Sequence, residues 1–247
     1  MHYWDKSQVK YNKELDLIEK KRNIVIVGAS RGIGLAVAEF YAAKGDCIIS
    51  VSRTRSSVGQ WIEADISTLE GIRKVIDEIS DKAIDALLYM GGIWESSAFT
   101  EEYDFEKTSF TETQSIINVN QLAPIELVKG LLANLRRAKN PRAIFMGATS
   151  GLELSTTSEV AYSASKFGLR GAVHSLRVGY KNEGIGFTTV NPGYVGTDEV
   201  LNDIESGESI GLIPIPMEDI IRAVDFVMQS SRNTDIGDIV LTQKFGR

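Results

Sequence analysis

Cysteine and histidine are almost absent from this chain. Its 247 residues include one cysteine, Cys47, and two histidines, His2 and His174. A single cysteine excludes an intrachain disulfide, and these scattered residues are too few for the Cys and His sets that hold zinc. We therefore expect no metal site. Cys47 lies in an apolar run, so we expect it to be an inert residue of the core.

Long hydrophobic runs and an excess of positive charge are also missing. No apolar stretch approaches the roughly 20 residues that a membrane-spanning helix needs. The first 21 residues are polar and charged, without the apolar centre of a signal peptide. The formal net charge is -6, whereas proteins that bind nucleic acids or anionic membranes need a basic surface. We expect a cytoplasmic protein that binds neither.

Strand-like and helix-like segments alternate along the chain. Short β-branched runs, typical of strands buried on both faces of a parallel sheet, are separated by helical segments. The predicted strands are 23–27, 47–51, 61–64, 86–90, 143–146, 187–190 and 239–241, and the predicted helices are 32–44, 67–80, 111–137, 159–181 and 217–229. This order predicts an α/β fold, a doubly wound, mostly parallel, seven-stranded sheet in a three-layer αβα sandwich. Because the sequence shows no repeat or linker, we predict an N-terminal arm, 1–22, and one domain, 23–247.

A glycine-rich segment, Gly28-Ala29-Ser30-Arg31-Gly32-Ile33-Gly34, joins the first predicted strand to the first predicted helix. Glycines let a backbone approach a pyrophosphate closely, and the start of a helix supplies free N–H groups and the positive end of its dipole. Three glycines often form only a tight turn. Their placement between a strand and a helix nevertheless favours a dinucleotide site.

The residues around the end of the second predicted strand favour NADP over NAD. An acidic residue at this point would bond the ribose hydroxyl of NAD, but Val51-Ser52-Arg53-Thr54-Arg55 contains none. Arg31 also stands in the glycine-rich segment. Guanidinium groups suit a 2′-phosphate because they grip it with paired hydrogen bonds. The alternative is that Arg31 and Arg53 are merely solvated, in which case NAD remains open.

Tyr162 and Lys166 are four residues apart and share one face of a predicted helix. A free tyrosine has a pKa of about 10, too high for efficient proton transfer at neutral pH. A nearby ammonium group favours the phenolate, so we expect Lys166 to lower the pKa of Tyr162. The alternative for such a pair is a packed ring beside a solvated charge.

These features together resemble the short-chain dehydrogenase/reductase family in its compact form, with a single Rossmann domain. The resemblance extends over about Asn23 to Leu241. It implies that Asp65 lies near the adenine and that the 191–197 segment holds the nicotinamide and phosphates. The cofactor contacts that it implies are Gly28, Ser30, Arg31, Gly32, Ile33, Gly34, Arg53, Asp65, Ile66, Gly91, Gly92, Tyr162, Lys166, Pro192, Gly193, Val195 and Thr197.

The activity implied by the resemblance is hydride transfer between NADP and a carbonyl or alcohol. Tyr162 would exchange the proton with the substrate oxygen, Lys166 would bond the nicotinamide ribose, and Asn120 would hold a water that links Lys166 to solvent. A hydroxyl would orient the carbonyl. The family's usual spacing to the tyrosine falls on Thr149, whereas the local pattern of two hydroxyls before glycine favours Ser150. We prefer Ser150, and Thr149 stays open.

Besides this ambiguous hydroxyl, the chain departs from the family pattern in two further places. The usual Asn-Asn-Ala-Gly stretch reads Tyr89-Met90-Gly91-Gly92, and the aromatic segment 93–111 looks longer than usual. That segment shapes the substrate pocket, forms a subunit contact or only covers the sheet edge. The apolar character of 198–216 favours an uncharged ketone or aldehyde.

The resemblance also implies a homodimer or homotetramer that uses the 111–137 and 159–181 helices. A non-catalytic NADP-binding protein on the same fold, used for regulation or assembly, is the alternative to an enzyme. The complete set of proton-relay residues disfavours it.

Overall fold

The computed structural model describes residues 21–153, 157–206 and 213–245. Within them, seven parallel strands form one sheet in the order β3-β2-β1-β4-β5-β6-β7. The strands are β1 (Asn23–Val27), β2 (Cys47–Ser52), β3 (Gln60–Glu63), β4 (Ala86–Tyr89), β5 (Arg142–Met146), β6 (Gly186–Pro192) and β7 (Asp238–Leu241). The predicted doubly wound α/β fold is confirmed.

Seven α-helices connect these strands in the described part of the chain. They are α1 (Gly32–Ala43), α2 (Leu69–Ile79), α3 (Phe110–Ile117), α4 (Ala123–Leu135), α5 (Val160–Gly179), α6 (Asp198–Glu205) and α7 (Met217–Gln229). The sequence reading did not predict α6. Thr197 caps the start of this short helix, since its hydroxyl oxygen accepts a hydrogen bond from the N–H of Val200 at 3.4 Å.

The helices cover both faces of the sheet because alternate residues of each strand point to opposite sides. Val25 and Val27 of β1 pack in the core that contains residues of α2, α4 and α5. Ile24 and Ile26 of the same strand pack in the opposite core, which contains residues of α1 and α7. These two cores make the three predicted layers.

The carboxyl ends of β1 and β4 mark the point where the strand order reverses. From β1 the chain continues outward to β2 and β3, then returns to β4 on the other side of β1. In doubly wound sheets, ligands bind in the crevice at this point. Gly28 and Gly91 follow the two strands so closely that a Cβ on Gly28 would lie 2.6 Å from the Gly91 Cα.

Two sequence expectations are corrected by the structure. Cys47 is exposed, because it is the first residue of β2 and precedes the buried part of that strand. The predicted 111–137 helix is interrupted by a π-helical turn, Asn118–Leu122, between α3 and α4. Residues 1–20 of the predicted N-terminal arm lie outside the described residues.

Candidate active site

The glycine-rich segment forms a tight connection from β1 to α1. Gly28 has a φ of +86°, which a side chain rarely adopts, and its N–H donates to the Val51 carbonyl at 2.8 Å. A Cβ on Gly34 would collide with the Gly28 carbonyl, so the first turn of α1 packs directly on the loop. A Cβ on Gly32 would lie 3.7 Å from the Thr197 methyl group. The structure therefore brings the glycine-rich segment and Thr197 together.

Arg53 and Asp65, which were predicted at the 2′-phosphate and the adenine, line a cavity of about 390 Å³ at the ends of β2 and β3. Arg31, the other arginine predicted at the 2′-phosphate, is not part of this lining. A hydrogen bond from the Ser67 N–H holds the pKa of Asp65 below its usual value, and the charge of Arg53 contributes. Lys74 of α2 lines the same cavity and was missed by the sequence reading. The lining also includes carboxylates at Glu63 and Glu70, so its charge is mixed.

The segment after β6 approaches the same edge of the sheet. Pro192 is the last residue of β6, and the Gly193 N–H donates to the Leu241 carbonyl at 2.9 Å. Val195 is buried and forms an isolated bridge with Ile215. These contacts fix the path of the chain from β6 to Thr197.

Lys166 lies buried on α5, beneath the end of β5. Its Nζ donates to the carbonyl of Met146 at 2.9 Å and lies 5.6 Å from the centre of the Tyr162 ring. Burial lowers the pKa of Lys166 to about 8, because the charged form loses hydration there. The ammonium form still predominates at pH 7.

Tyr162 does not have the lowered pKa that the sequence reading expected. Burial raises the pKa of Tyr162 above its ordinary value of 10.0, and the neighbouring Tyr194, Glu159 and Glu95 raise it further. The expectation treated Lys166 as the only neighbouring charge. It missed the loss of hydration and the two carboxylates, both of which disfavour a phenolate.

Asn120 lies buried in the π-helical turn and is fully engaged. Its Oδ1 accepts from the Ile93 N–H at 2.9 Å, and its Nδ2 donates to the Ile93 carbonyl at 2.7 Å and to the Ser165 hydroxyl at 3.0 Å. The Ser165 hydroxyl donates to the carbonyl of Tyr162 at 2.7 Å. Asn120 thus joins the strand-end loop to the helix that contains Tyr162 and Lys166.

Gly92 stands between these groups. A Cβ at this position would lie 3.2 Å from the Lys166 Nζ and 3.6 Å from the Asn120 Oδ1. The chain has Tyr89 and Met90 where the family pattern has two asparagines. The buried Tyr89 hydroxyl donates to the Val119 carbonyl within the π-helical turn. This side chain braces the turn beside Asn120.

The two candidate hydroxyls occupy a short 3-10 turn, Thr149–Gly151, that follows β5. Ser150 is buried and Thr149 is half-buried. A Cβ on Gly151 would lie 2.9 Å from the carbonyl carbon of Lys166, so the turn packs directly on α5. The turn that contains both residues therefore lies beside the Tyr162 helix, and the choice between the two hydroxyls stays open.

Glu95 is a residue of the site that the sequence reading missed. It is only 2% exposed, and its Oε1 accepts from the N–H groups of Ala161 and Tyr162 at 2.8 and 3.1 Å. The Tyr103 hydroxyl accepts from the Val160 N–H at 3.2 Å. The first turn of a helix has N–H groups without intrahelical partners, and the 93–103 segment satisfies three of them. No local sequence signal marks this cap, because its acceptors lie more than 50 residues upstream.

Comparison with known proteins gives consistent results. A family profile described as short chain dehydrogenase matches residues 22–206. The chain is 26% identical over 204 residues to the 3-oxoacyl-(acyl-carrier-protein) reductase of Vibrio harveyi, covering 77% of this chain and 81% of that protein.

Two solved structures have the same fold. One is a 4-hydroxyisoleucine dehydrogenase complexed with NADH, at 21% identity and a TM-score of 0.75, with 90% of this chain and 97% of the other covered. The other, ElxO with NADP bound, has 20% identity and a TM-score of 0.79, with 90% and 98% covered. Across the described residues, no helix is long and apolar enough to cross a membrane.

Proposed function

This chain belongs to the short-chain dehydrogenase family, and we propose from that premise that it is an NADP-preferring oxidoreductase acting on a carbonyl or alcohol. Tyr162 is the proposed acid and base. The observation that supports this most strongly is the position of Tyr162, Lys166, Asn120 and Gly92 around one point at the carboxyl edge of the sheet. A protein that only bound the cofactor would not need this arrangement.

The residues present fit a nicotinamide dinucleotide. The connection between β1 and α1 is compact, because Gly28 packs against the backbone of Gly91 and Gly34 packs against the carbonyl of Gly28, with no room for a Cβ at either position. The first turn of α1 has no side-chain cap at Arg31, so its N–H groups are available to an anion. We propose that Gly32, Ile33 and Thr197 hold the phosphates and that Gly91, Gly92 and Val195 lie along the nicotinamide half. When bound, the cofactor supplies or accepts the hydride.

The proton chemistry follows from the two shifted pKa values. The phenol of Tyr162 is protonated at neutral pH and can donate to a carbonyl oxygen that becomes an alkoxide, although its raised pKa makes it a weaker acid than a free tyrosine. Lys166 is a buried cation with a pKa of about 8, and its ammonium group would stabilise the phenolate that remains. Ser150, with Thr149 as the alternative, would orient the carbonyl oxygen.

Preference for NADP rests on Arg31 and Arg53, and Lys74 adds a cation to the Arg53 cavity. The test is a fluorescence titration of the purified protein with NADPH and, separately, with NADH. We expect Arg53→Ala to weaken NADPH binding at least tenfold more than NADH binding, since a paired contact to a phosphate is strong.

The matched control is Arg222→Ala, which removes an exposed arginine from α7. It should leave both dissociation constants unchanged. Equal losses for NADPH and NADH in Arg53→Ala would refute the NADP preference, and no binding of either cofactor to the wild type would refute the enzyme assignment.

We further propose a homodimer or homotetramer. The α3–α5 region presents large exposed apolar side chains, with Phe110 80% and Val178 81% exposed. Sedimentation that shows only monomer at micromolar concentration would refute this. The division into an arm, 1–22, and one domain, 23–247, and the cytoplasmic location stay predictions.

A further inference from the structure

The segment from Trp94 to Tyr103 is fastened to the helix that contains Tyr162. Glu95 and Tyr103 accept from the first N–H groups of α5. In return, the buried Glu159 at the start of that helix accepts from the Phe99 N–H at 2.9 Å. Phe99 has a φ of +65°, a conformation that costs energy for a residue with a side chain. The Glu159 contact anchors the backbone of Phe99 to the start of the helix that contains Tyr162.

Two aromatic rings, Phe99 and Trp94, contact Tyr162 in this arrangement, and a third, Tyr194, contacts Phe99. The Phe99 centroid lies 5.5 Å from that of Tyr162 with the planes at 86°, and the Trp94 centroid lies 6.4 Å away at 89°. Phe99 also lies 6.0 Å from Trp94 and 6.0 Å from Tyr194. Trp94, Phe99 and Tyr194 are 42%, 38% and 42% exposed, so they are not core residues. They offer accessible ring surface next to the proposed acid.

Two buried carboxylates lie near these rings. Glu159 accepts from the Phe99 N–H, and Glu95 accepts from the N–H groups of Ala161 and Tyr162. Both add to the raised pKa of Tyr162, after burial and Tyr194, whereas the Lys166 ammonium lies 5.6 Å from the centre of the same ring. Negative charge in a poorly hydrated site repels an anionic substrate and leaves a neutral one unaffected. The exposed surface beside Tyr162 is therefore aromatic, and the carboxylates near it disfavour an anion.

We propose that Trp94, Phe99 and Tyr194 form the wall that selects the substrate, and that the preferred substrate is an uncharged carbonyl compound with a flat ring next to the carbonyl. A flat ring gains edge-to-face and offset contacts with such a wall beyond those available to a short aliphatic chain. This inference rests on the proposed function, because it assigns the substrate class of the same site. It also assigns the aromatic segment 93–111 to the substrate pocket.

The test compares acetophenone with 2-butanone, two neutral methyl ketones that differ in the ring. For the wild type, kcat/KM with NADPH should be at least tenfold higher for acetophenone, within the range of about 10 to 200-fold that apolar pockets achieve. Phe99→Leu should lower kcat/KM for acetophenone about tenfold and change that for 2-butanone less than about threefold. Phe226→Leu, which alters an exposed phenylalanine of α7, is the matched control and should change neither. The anionic 4-acetylbenzoate should be at least tenfold poorer than acetophenone.

A binding measurement separates this inference from the proposed function. Saturation-transfer NMR with oxidised cofactor should detect acetophenone on the wild type and a much weaker signal with Phe99→Leu. If acetophenone binds in this way and no ketone is reduced, the aromatic wall binds a flat ring as inferred, but the proposed function is wrong and the substrate assignment is overturned with it. If ketones are reduced without preference for the ring, or Phe99→Leu affects both ketones equally, the inference is wrong and the proposed function holds. Absence of acetophenone binding overturns the inference.

Discussion

Raising the pH should stabilise the folded protein through Lys166. The folded protein releases the Lys166 proton near pH 8, whereas an ordinary lysine has a pKa of 10.5. Between these values the unfolded chain binds more protons than the folded one, so the free energy of unfolding rises with pH. From pH 7 to pH 9.5 the gain from this one group is about 2 kcal/mol. Below pH 7 the contribution is flat, because both states are protonated.

The assay is urea unfolding of the wild type and Lys166→Met at pH 7.0, 8.5 and 9.5. Methionine keeps much of the buried aliphatic volume and removes the charge. The series stops at 9.5 because burial raises the pKa values of three tyrosines, Tyr41, Tyr89 and Tyr162. At higher pH these tyrosines lower the free energy of unfolding, which would obscure the contribution of Lys166. We expect the wild type to gain about 2 kcal/mol relative to the variant. Parallel pH curves would refute the claim that Lys166 is buried as a cation.

Three further predictions concern single residues around the site. Glu95→Ala should lower the free energy of unfolding by about 1 to 3 kcal/mol, because two helix N–H groups lose their acceptor. Glu95→Gln keeps an acceptor oxygen and should lower the free energy of unfolding much less. Equal losses of the two variants in urea unfolding would contradict this cap. Ser150→Ala should lower kcat about a hundredfold and Thr149→Val less than about threefold, and the reverse order would move the orienting role to Thr149. Gly28→Ala should abolish cofactor binding, because the new Cβ would collide with the backbone of Gly91. The control is Gly45→Ala, which should bind the cofactor normally, since Gly45 has a similar φ of +90° but open space around it. Loss of binding in both variants, or in neither, would refute this role of Gly28.

The fold was predictable because its signals are local and repeated. Each strand is a short β-branched run, and the connections between strands contain helical periodicity, so the order alone implies a parallel, doubly wound sheet. The glycine-rich segment was also predictable, because its position between β1 and α1 fixes its role at the sheet edge. The structure places these residues where the sequence indicated.

The parts that were missed depend on contacts between distant residues. Glu95 of the 93–103 segment accepts from the first turn of α5, and Glu159 before that helix accepts from the 93–103 segment. No spacing rule in the sequence connects these residues. The π-helical turn at Asn118–Leu122 adds a residue to one turn, which a regular helical pattern does not show.

The error in the pKa of Tyr162 has the same origin. The sequence identified Lys166 as a neighbour but gave no measure of burial and no sign of the two carboxylates. The prediction that Cys47 is buried failed for a related reason. An apolar run indicates a strand but does not show which of its residues lies at the exposed end of the sheet.

The most direct test of the central claim is NADPH oxidation with acetophenone and other uncharged ketones by the wild type and by Tyr162→Phe. The phenylalanine variant keeps the ring contacts with Phe99 and Trp94 and removes only the hydroxyl. We predict that the wild type oxidises NADPH in a ketone-dependent reaction, and that Tyr162→Phe still binds NADPH but is at least a hundredfold slower. Equal rates in the two proteins, or NADPH binding without turnover of any ketone by the wild type, would contradict the account.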